Sequence, residues 1–181
     1  MGIRAALIAA LFAHSAAAFG AEDAAPLIEQ QIKAAFLYKF AAYVEWPPGA
    51  LAEADSPIVI GVAGADRIAR ELDHAVRGQT VSGRTVQVRR LEHGEPADGC
   101  CQILFIGAGE QKHAKERLAR AQGRPVLTVT DFGEEQPKGS VINFLTFDNR
   151  VRFDISREAA ERNGLQLRSQ LLGVARRVVG P

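Results

Sequence analysis

The sequence predicts an α/β fold: a single compact domain whose mostly parallel, Rossmann-like sheet is flanked by helices and carries a β-hairpin towards the carboxyl end. Three observations predict it. A short continuous apolar run rich in β-branched residues at 58–62, and largely apolar segments at 102–106 and 126–130, read as buried strands. Between them lie stretches with apolar residues at steps of three and four, the pattern of helices that cover such a sheet. Finally, two alternating segments, 141–147 and 151–155, flank Asp148-Asn149-Arg150. Asp and Asn tolerate the positive φ that tight hairpins need.

Residues 1–18 stand apart. Arg4 supplies a positive charge, 5–13 is an uninterrupted apolar run, and Ser15-Ala16-Ala17-Ala18 provides small residues. This is the order of a secretory signal peptide cleaved after Ala18. The run is too short for a membrane span of about 20 residues. The domain is then expected over 27–181, exported and with no membrane insertion after cleavage.

Within it, Pro26 can open a helix over 27–44, with Ile28, Ile32, Phe36, Phe40 and Tyr43 as the apolar face. Trp46-Pro47-Pro48-Gly49 ends it, because residues before proline avoid the α region. The strand at 58–62 leads to a helix over 67–77, capped by Asp66, faced by Ile68, Leu72 and Val76, and stopped at Gly78. A Ser82-Gly83 turn enters an alternating strand at 85–89. The strand at 102–106 precedes a charged helix over 110–122 with a thin face of Ala114, Leu118 and Ala121. After the strand at 126–130 comes a polar loop, 131–140, and then the hairpin. Ser156 caps a short helix that stops at Gly164. A last helix is predicted over 167–179, striped by Leu167, Leu171, Val174, Ala175 and Val178.

Charge narrows the function. The 181 residues hold 22 basic and 21 acidic side chains, and loss of Arg4 with the leader balances them. A neutral domain has no bulk attraction for nucleic acid or anionic lipid. The two cysteines, Cys100 and Cys101, are adjacent. A bond between neighbours departs from preferred disulfide geometry, so they read as two half-buried thiols at a strand entrance. An intermolecular bridge and a vicinal disulfide are the alternatives, and both residues are candidate redox thiols.

Motifs for chemistry are thin. Gly61-Val62-Ala63-Gly64 has no Lys-Ser/Thr to complete a phosphate loop, and Gly107-Ala108-Gly109 has Lys112 where a third glycine would stand. Both read as turn glycines. His74, His93 and His113 are scattered, without HxH or HExxH spacing. Adjacent cysteines cannot easily fill two vertices of one tetrahedral site. There is no nucleophile elbow, and Asp131-Phe132-Gly133 reads as a turn. No cofactor, no metal and no enzyme activity are expected.

Three segments carry a resemblance. They are Ile32-Lys33-Ala34-Ala35-Phe36-Leu37-Tyr38-Lys39-Phe40 with Val44-Glu45-Trp46-Pro47, then Cys101-Gln102-Ile103-Leu104-Phe105-Ile106, then Ile142-Asn143-Phe144 through Asp148-Asn149-Arg150-Val151-Arg152-Phe153-Asp154-Ile155. In order and spacing the chain, from Ile28 to Val179, resembles the YfiR-like (DUF4154) family of periplasmic regulatory proteins. The resemblance implies a compact, dimer-forming α/β protein. It implies a partner too, an inner-membrane signalling protein with a periplasmic sensor region, such as a diguanylate cyclase held inactive to lower cyclic-di-GMP. Family repressors tend to carry further cysteines towards the C-terminal half, where a disulfide supports the fold. This chain has none after Cys101.

Phe36, Phe40, Phe105, Phe144 and Phe153 read as core. Trp46 either closes the core or lines a partner-facing groove. Lys33, Tyr38, Lys39 and Glu45 lie off the apolar stripe and read, with Trp46, as candidate partner contacts. Two rival functions remain: a small-ligand sensor with its site at the carboxyl ends of the strands, near Gly64, Gly107 and Asp131, and a thiol enzyme using Cys100 or Cys101.

Overall fold

The computed structural model describes residues 21–51, 53 and 55–180, with side chains from Leu27 onward. The expected leader, 1–18, lies outside them. The elements are α1 (Ala21–Phe40), a 3-10 turn (Ala41–Tyr43), β1 (Val44–Glu45), β2 (Ile58–Ala63), α2 (Asp66–Ala75), β3 (Thr80–Val81), β4 (Arg84–Leu91) and β5 (Ile103–Ile106). A 3-10 segment (Ala108–His113), α3 (Ala114–Ala121), β6 (Leu127–Thr130), β7 (Ile142–Phe147) and β8 (Arg150–Ser156) follow. The chain closes with α4 (Arg157–Arg162), β9 (Gln166–Leu167), α5 (Ser169–Val174) and β10 (Arg177–Val179).

The α/β expectation holds. One eight-stranded sheet has the order β10-β8-β7-β6-β5-β2-β4-β3. The neighbours from β4 through β2, β5 and β6 to β7 are all parallel. The hairpin turns β8 antiparallel to β7, and β10 runs parallel to β8 at the edge. Asp148 and Asn149 have φ of 48° and 56°, and Phe147 pairs directly with Arg150. The loop is thus two residues long, and Arg150 belongs to the strand.

Alternation splits each central strand between two cores. Ile103 and Phe105 join the larger cluster beneath α1 and α2, while Leu104 and Ile106 join the smaller one beneath α3. Aromatic rings fill the larger cluster. Phe40 meets Phe153 edge-on at 5.1 Å between centroids and stacks with Phe144 at 5.7 Å. Such pairs add about 0.5–1.5 kcal/mol each beyond burial. Phe105 is fully buried and Phe36 packs partly buried on the same cluster.

Three expectations are corrected. First, α1 begins at Ala21, not Leu27; it buries Ala34, Leu37 and Phe40, and the 3-10 turn after it buries Ala41, while Ile28, Ile32 and Tyr43 are exposed. A step of four overshoots a helical turn by about 40°, so the run Ile28-Ile32-Phe36-Phe40 spirals from solvent into the core. Second, Asp66 is the first residue of α2 rather than its cap. Ala65 occupies the cap position, and no side chain caps the helix. Third, the helix expected over 167–179 is β9, α5 and β10. Ala175 is extended, and the Arg176 amide donates to the Phe153 carbonyl at 2.9 Å. The β-branched pair Val178-Val179 then pairs with β8, where strand propensity and an open edge outweigh helical spacing.

Candidate functional site

Chain order moves from β2 to β4 on one side and then to β5 on the other. The carboxyl ends of β2 and β5 therefore splay apart at a topological switch point, where open α/β sheets place ligands. The loops leaving these strands are tied together: the Gly107 amide donates to Ala63 O at 2.8 Å and the Gly109 amide to Gly64 O at 3.1 Å. Glycine is required here by crowding as much as by turning. A Cβ on Gly64 would lie 2.4 Å from the Glu110 nitrogen, and one on Gly107 would lie 2.6 Å from the Ala65 Cβ.

Above these loops α1 and the start of α2 enclose a cleft of about 420 Å³. Gln30 and Lys33 of α1, Ala65 with Asp66 and Arg67 of α2, Gly107 and Asp131 line it. Gly64, Gly107 and Asp131, named above as the rival ligand site, thus share one wall system. Lys33 is only 5% exposed. Its Nζ donates to Asp131 Oδ1 and Oδ2 at 2.8 and 2.7 Å and to Glu29 Oε1 at 2.5 Å. Gln30 Oε1 is buried with no hydrogen-bond partner. The uncapped amides of α2 add a second set of unsatisfied polar groups. The cleft can therefore hold a small polar ligand that accepts from amides and donates to the Gln30 carbonyl.

Asp131 is placed by a buried network. Fully buried Asn143 of β7 accepts from the Phe132 amide at 3.2 Å and donates to Gly133 O at 2.7 Å, and Thr130 Oγ1 donates to Asn143 Oδ1 at 2.8 Å.

The five residues read as partner contacts scatter. Lys33 is corrected outright: it is a buried ion-pair member, drawn inward because Asp131 lies opposite. Lys39 is exposed; Tyr38 is half-buried with its hydroxyl donating to Thr80 O at 3.4 Å. Glu45 is exposed and accepts from Arg168 Nε at 3.1 Å, across the small β1-β9 sheet. Trp46 is half-buried against the larger cluster. The two cysteines precede β5 as a vicinal disulfide rather than two thiols. Cys101 is buried and Cys100 half-buried, and the pair lies under Gly61, where a Cβ would meet Cys101 Sγ at 2.7 Å.

The scattered histidines hid a cluster. Glu110 is completely buried, with Arg117 Nε donating to its Oε2 at 2.8 Å and the His93 Nδ1 in contact with Oε1. Burial pushes the Glu110 carboxyl up, but the bonds from Arg117 and His93 outweigh it and hold it below the usual glutamate range. The only sequence signal was the Glu110-x-x-His113 spacing, which puts both on one side of the 3-10 segment.

The model of the YfiR/HmsC-like family (DUF4154) matches residues 30–176, from within α1 to the residue before β10. The chain belongs to the YfiR/HmsC-like family. The matched stretch contains Gln30, Lys33 and Asp131 of the switch-point cleft, the vicinal cysteines and every strand from β1 to β9. Among the described residues no helix is long and apolar enough to cross a membrane.

Proposed function

We propose that this YfiR/HmsC-like chain is a periplasmic protein-binding regulator, exported by its leader, dimeric and without chemistry of its own. It restrains an inner-membrane signalling enzyme with a periplasmic sensor region, such as a diguanylate cyclase, and so lowers cyclic-di-GMP. Family membership supports the class of function. The observation that carries protein binding is the outer face of α1, where Leu27, Ile28 and Ile32 are 46, 54 and 39% exposed. Lys39 continues that face at helical spacing. Apolar side chains grouped on one outer face favour a partner. Inhibition follows if the regulator binds one conformation of the enzyme better than the other.

The test is recovery of detergent-solubilised membrane proteins on the tagged mature chain, with cyclic-di-GMP measured after gene deletion. Retention of an inner-membrane protein with a cytoplasmic GGDEF or kinase domain, and a raised output on deletion, are expected. Ile28→Glu with Ile32→Glu should abolish retention while leaving the unfolding free energy in urea within about 0.5 kcal/mol of the parent. Unchanged output and no specific retention would overturn the proposal.

A second reading, a small-ligand sensor, is favoured by the cleft and its unpartnered Gln30 oxygen. It predicts a saturable thermal shift with a polar metabolite, removed by Gln30→Leu. The two readings are compatible, since a ligand can tune partner affinity. A thiol enzyme predicts loss of function in Cys100→Ser with Cys101→Ser; retained regulation is the outcome expected here.

A further inference from the structure

Glu110, His93 and His113 converge from two separate segments. His93 stands in the loop after β4, and Glu110 and His113 in the 3-10 segment after β5. One ligand atom from each lies within 4.8 Å of the other two. His93 Nδ1 touches Oε1 of Glu110, and His113 Nδ1 lies 3.6 Å from Oε2. Charge neutralisation does not explain this convergence, because Arg117 already pairs with the buried carboxylate through Nε at 2.8 Å. Two further imidazoles on one satisfied carboxylate exceed what burial requires.

We propose that His93, Glu110 and His113 form a binding site for a late first-row divalent cation, with zinc the best fit. Two imidazoles and one carboxylate are a ligand set that zinc accepts, and a fourth position stays open to water or a partner's side chain. The parts have the right division of rigidity. Glu110 is fully buried and fixed by Arg117, which acts as the outer-shell partner that orients a ligating carboxylate. Arg117 also anchors the His93 loop, donating to the carbonyls of Glu95 at 2.7 Å and Glu92 at 2.8 Å. The imidazoles stand at the surface above Glu110, with side chains 75 and 50% exposed. Ligand atoms around tetrahedral zinc stand roughly 3.3–3.5 Å apart, from bond lengths of about 2.0–2.2 Å. Small rotations of the two exposed rings reach that spacing. The bound ion would cross-link the loop after β4 to the segment after β5, beside the switch point.

The test uses the tag-free mature chain, treated with a chelator and titrated with zinc by calorimetry, with thermal unfolding in parallel. One zinc per chain and a raised Tm are expected. His93→Ala and His113→Ala should each weaken binding by at least about tenfold, and the double variant should abolish both the heat and the Tm rise. His74→Ala, remote in sequence and outside the cluster, should behave as the parent. Both substituted histidines are exposed, so the variants keep the fold, which metal-free unfolding checks. Absence of binding to the folded parent would overturn the proposal. So would equal affinity in the double variant, or loss of binding on removing Cys100 and Cys101 instead.

Discussion

Lys33 and Asp131 lie 98 positions apart and form the long-range ion pair of the cleft. A lysine amid Ala-Ala-Phe-Leu read as a surface residue because no local pattern announces a distant carboxylate. Removing its charge leaves Asp131 and Glu29 facing each other without a cation. Lys33→Met should therefore destabilise by about 1–3 kcal/mol in urea unfolding, and an unchanged midpoint would show the pair to be idle. Asp154 offers a pH test. Burial pushes its carboxyl up, but the hydrogen bonds and charges of Arg176 and Arg177 hold it below the usual aspartate range. A folded-state value below the unfolded one adds stability that is complete above the ordinary aspartate pKa. That stability is lost as the pH falls through the lower folded value. Acid unfolding below about pH 4 should thus be steep in the parent and shallower in Asp154→Asn. The aspartate itself was visible in the sequence only as part of a strand, since its two arginines arrive from a segment read as helix.

Elements built from local signals were legible. The β-branched runs at β2, β5 and β6 announced buried strands, and Asp148-Asn149 announced the hairpin. Phasing was harder: on α1 the i+4 run of large apolar residues drifts around the helix, whereas two alanines and Leu37 mark the face that meets the sheet. The last segment satisfied helical spacing and strand propensity together, and only the open edge of β8 decides between them. Glycine chemistry gives the sharpest contrast between elements. Gly107 has an ordinary φ of −84°, so only space forbids a side chain. Gly107→Ala should cost about 1–3 kcal/mol through overpacking against Ala65 and Gly64. Gly173, the second-to-last residue of α5 with nothing within 4 Å of a Cβ, should accept alanine neutrally or gain up to about 1 kcal/mol. Equal urea midpoints for the two variants would refute the close-approach argument.

At the scale of the molecule, the alternation of strands and helices carried the fold class. It also carried the location of a cleft, because a parallel sheet built outward from its first strand must leave a switch point. The occupants were not legible. The 420 Å³ cleft depends on where α1 crosses the strand ends, and the Glu110 cluster on a loop brought 17 positions back to the 3-10 segment. Dimerisation belongs to this scale as well. Sedimentation of the mature chain should show a dimer, and Ile28→Glu with Ile32→Glu separates self-association from partner binding if only one is lost.

Among the described residues, β10 is the strand that pairs with the outer edge of β8, along Asp154 to Ser156, and Arg176 and Arg177 rivet it to Asp154. Such a short flap frays faster than the sheet beneath it melts. Each opening bares a strand that can pair with a neighbour, so storage life at high concentration is expected to follow this latch rather than the core. Carboxypeptidase trimming past Val179 should shorten the lag before turbidity appears while leaving the urea midpoint of the bulk sheet nearly where it was.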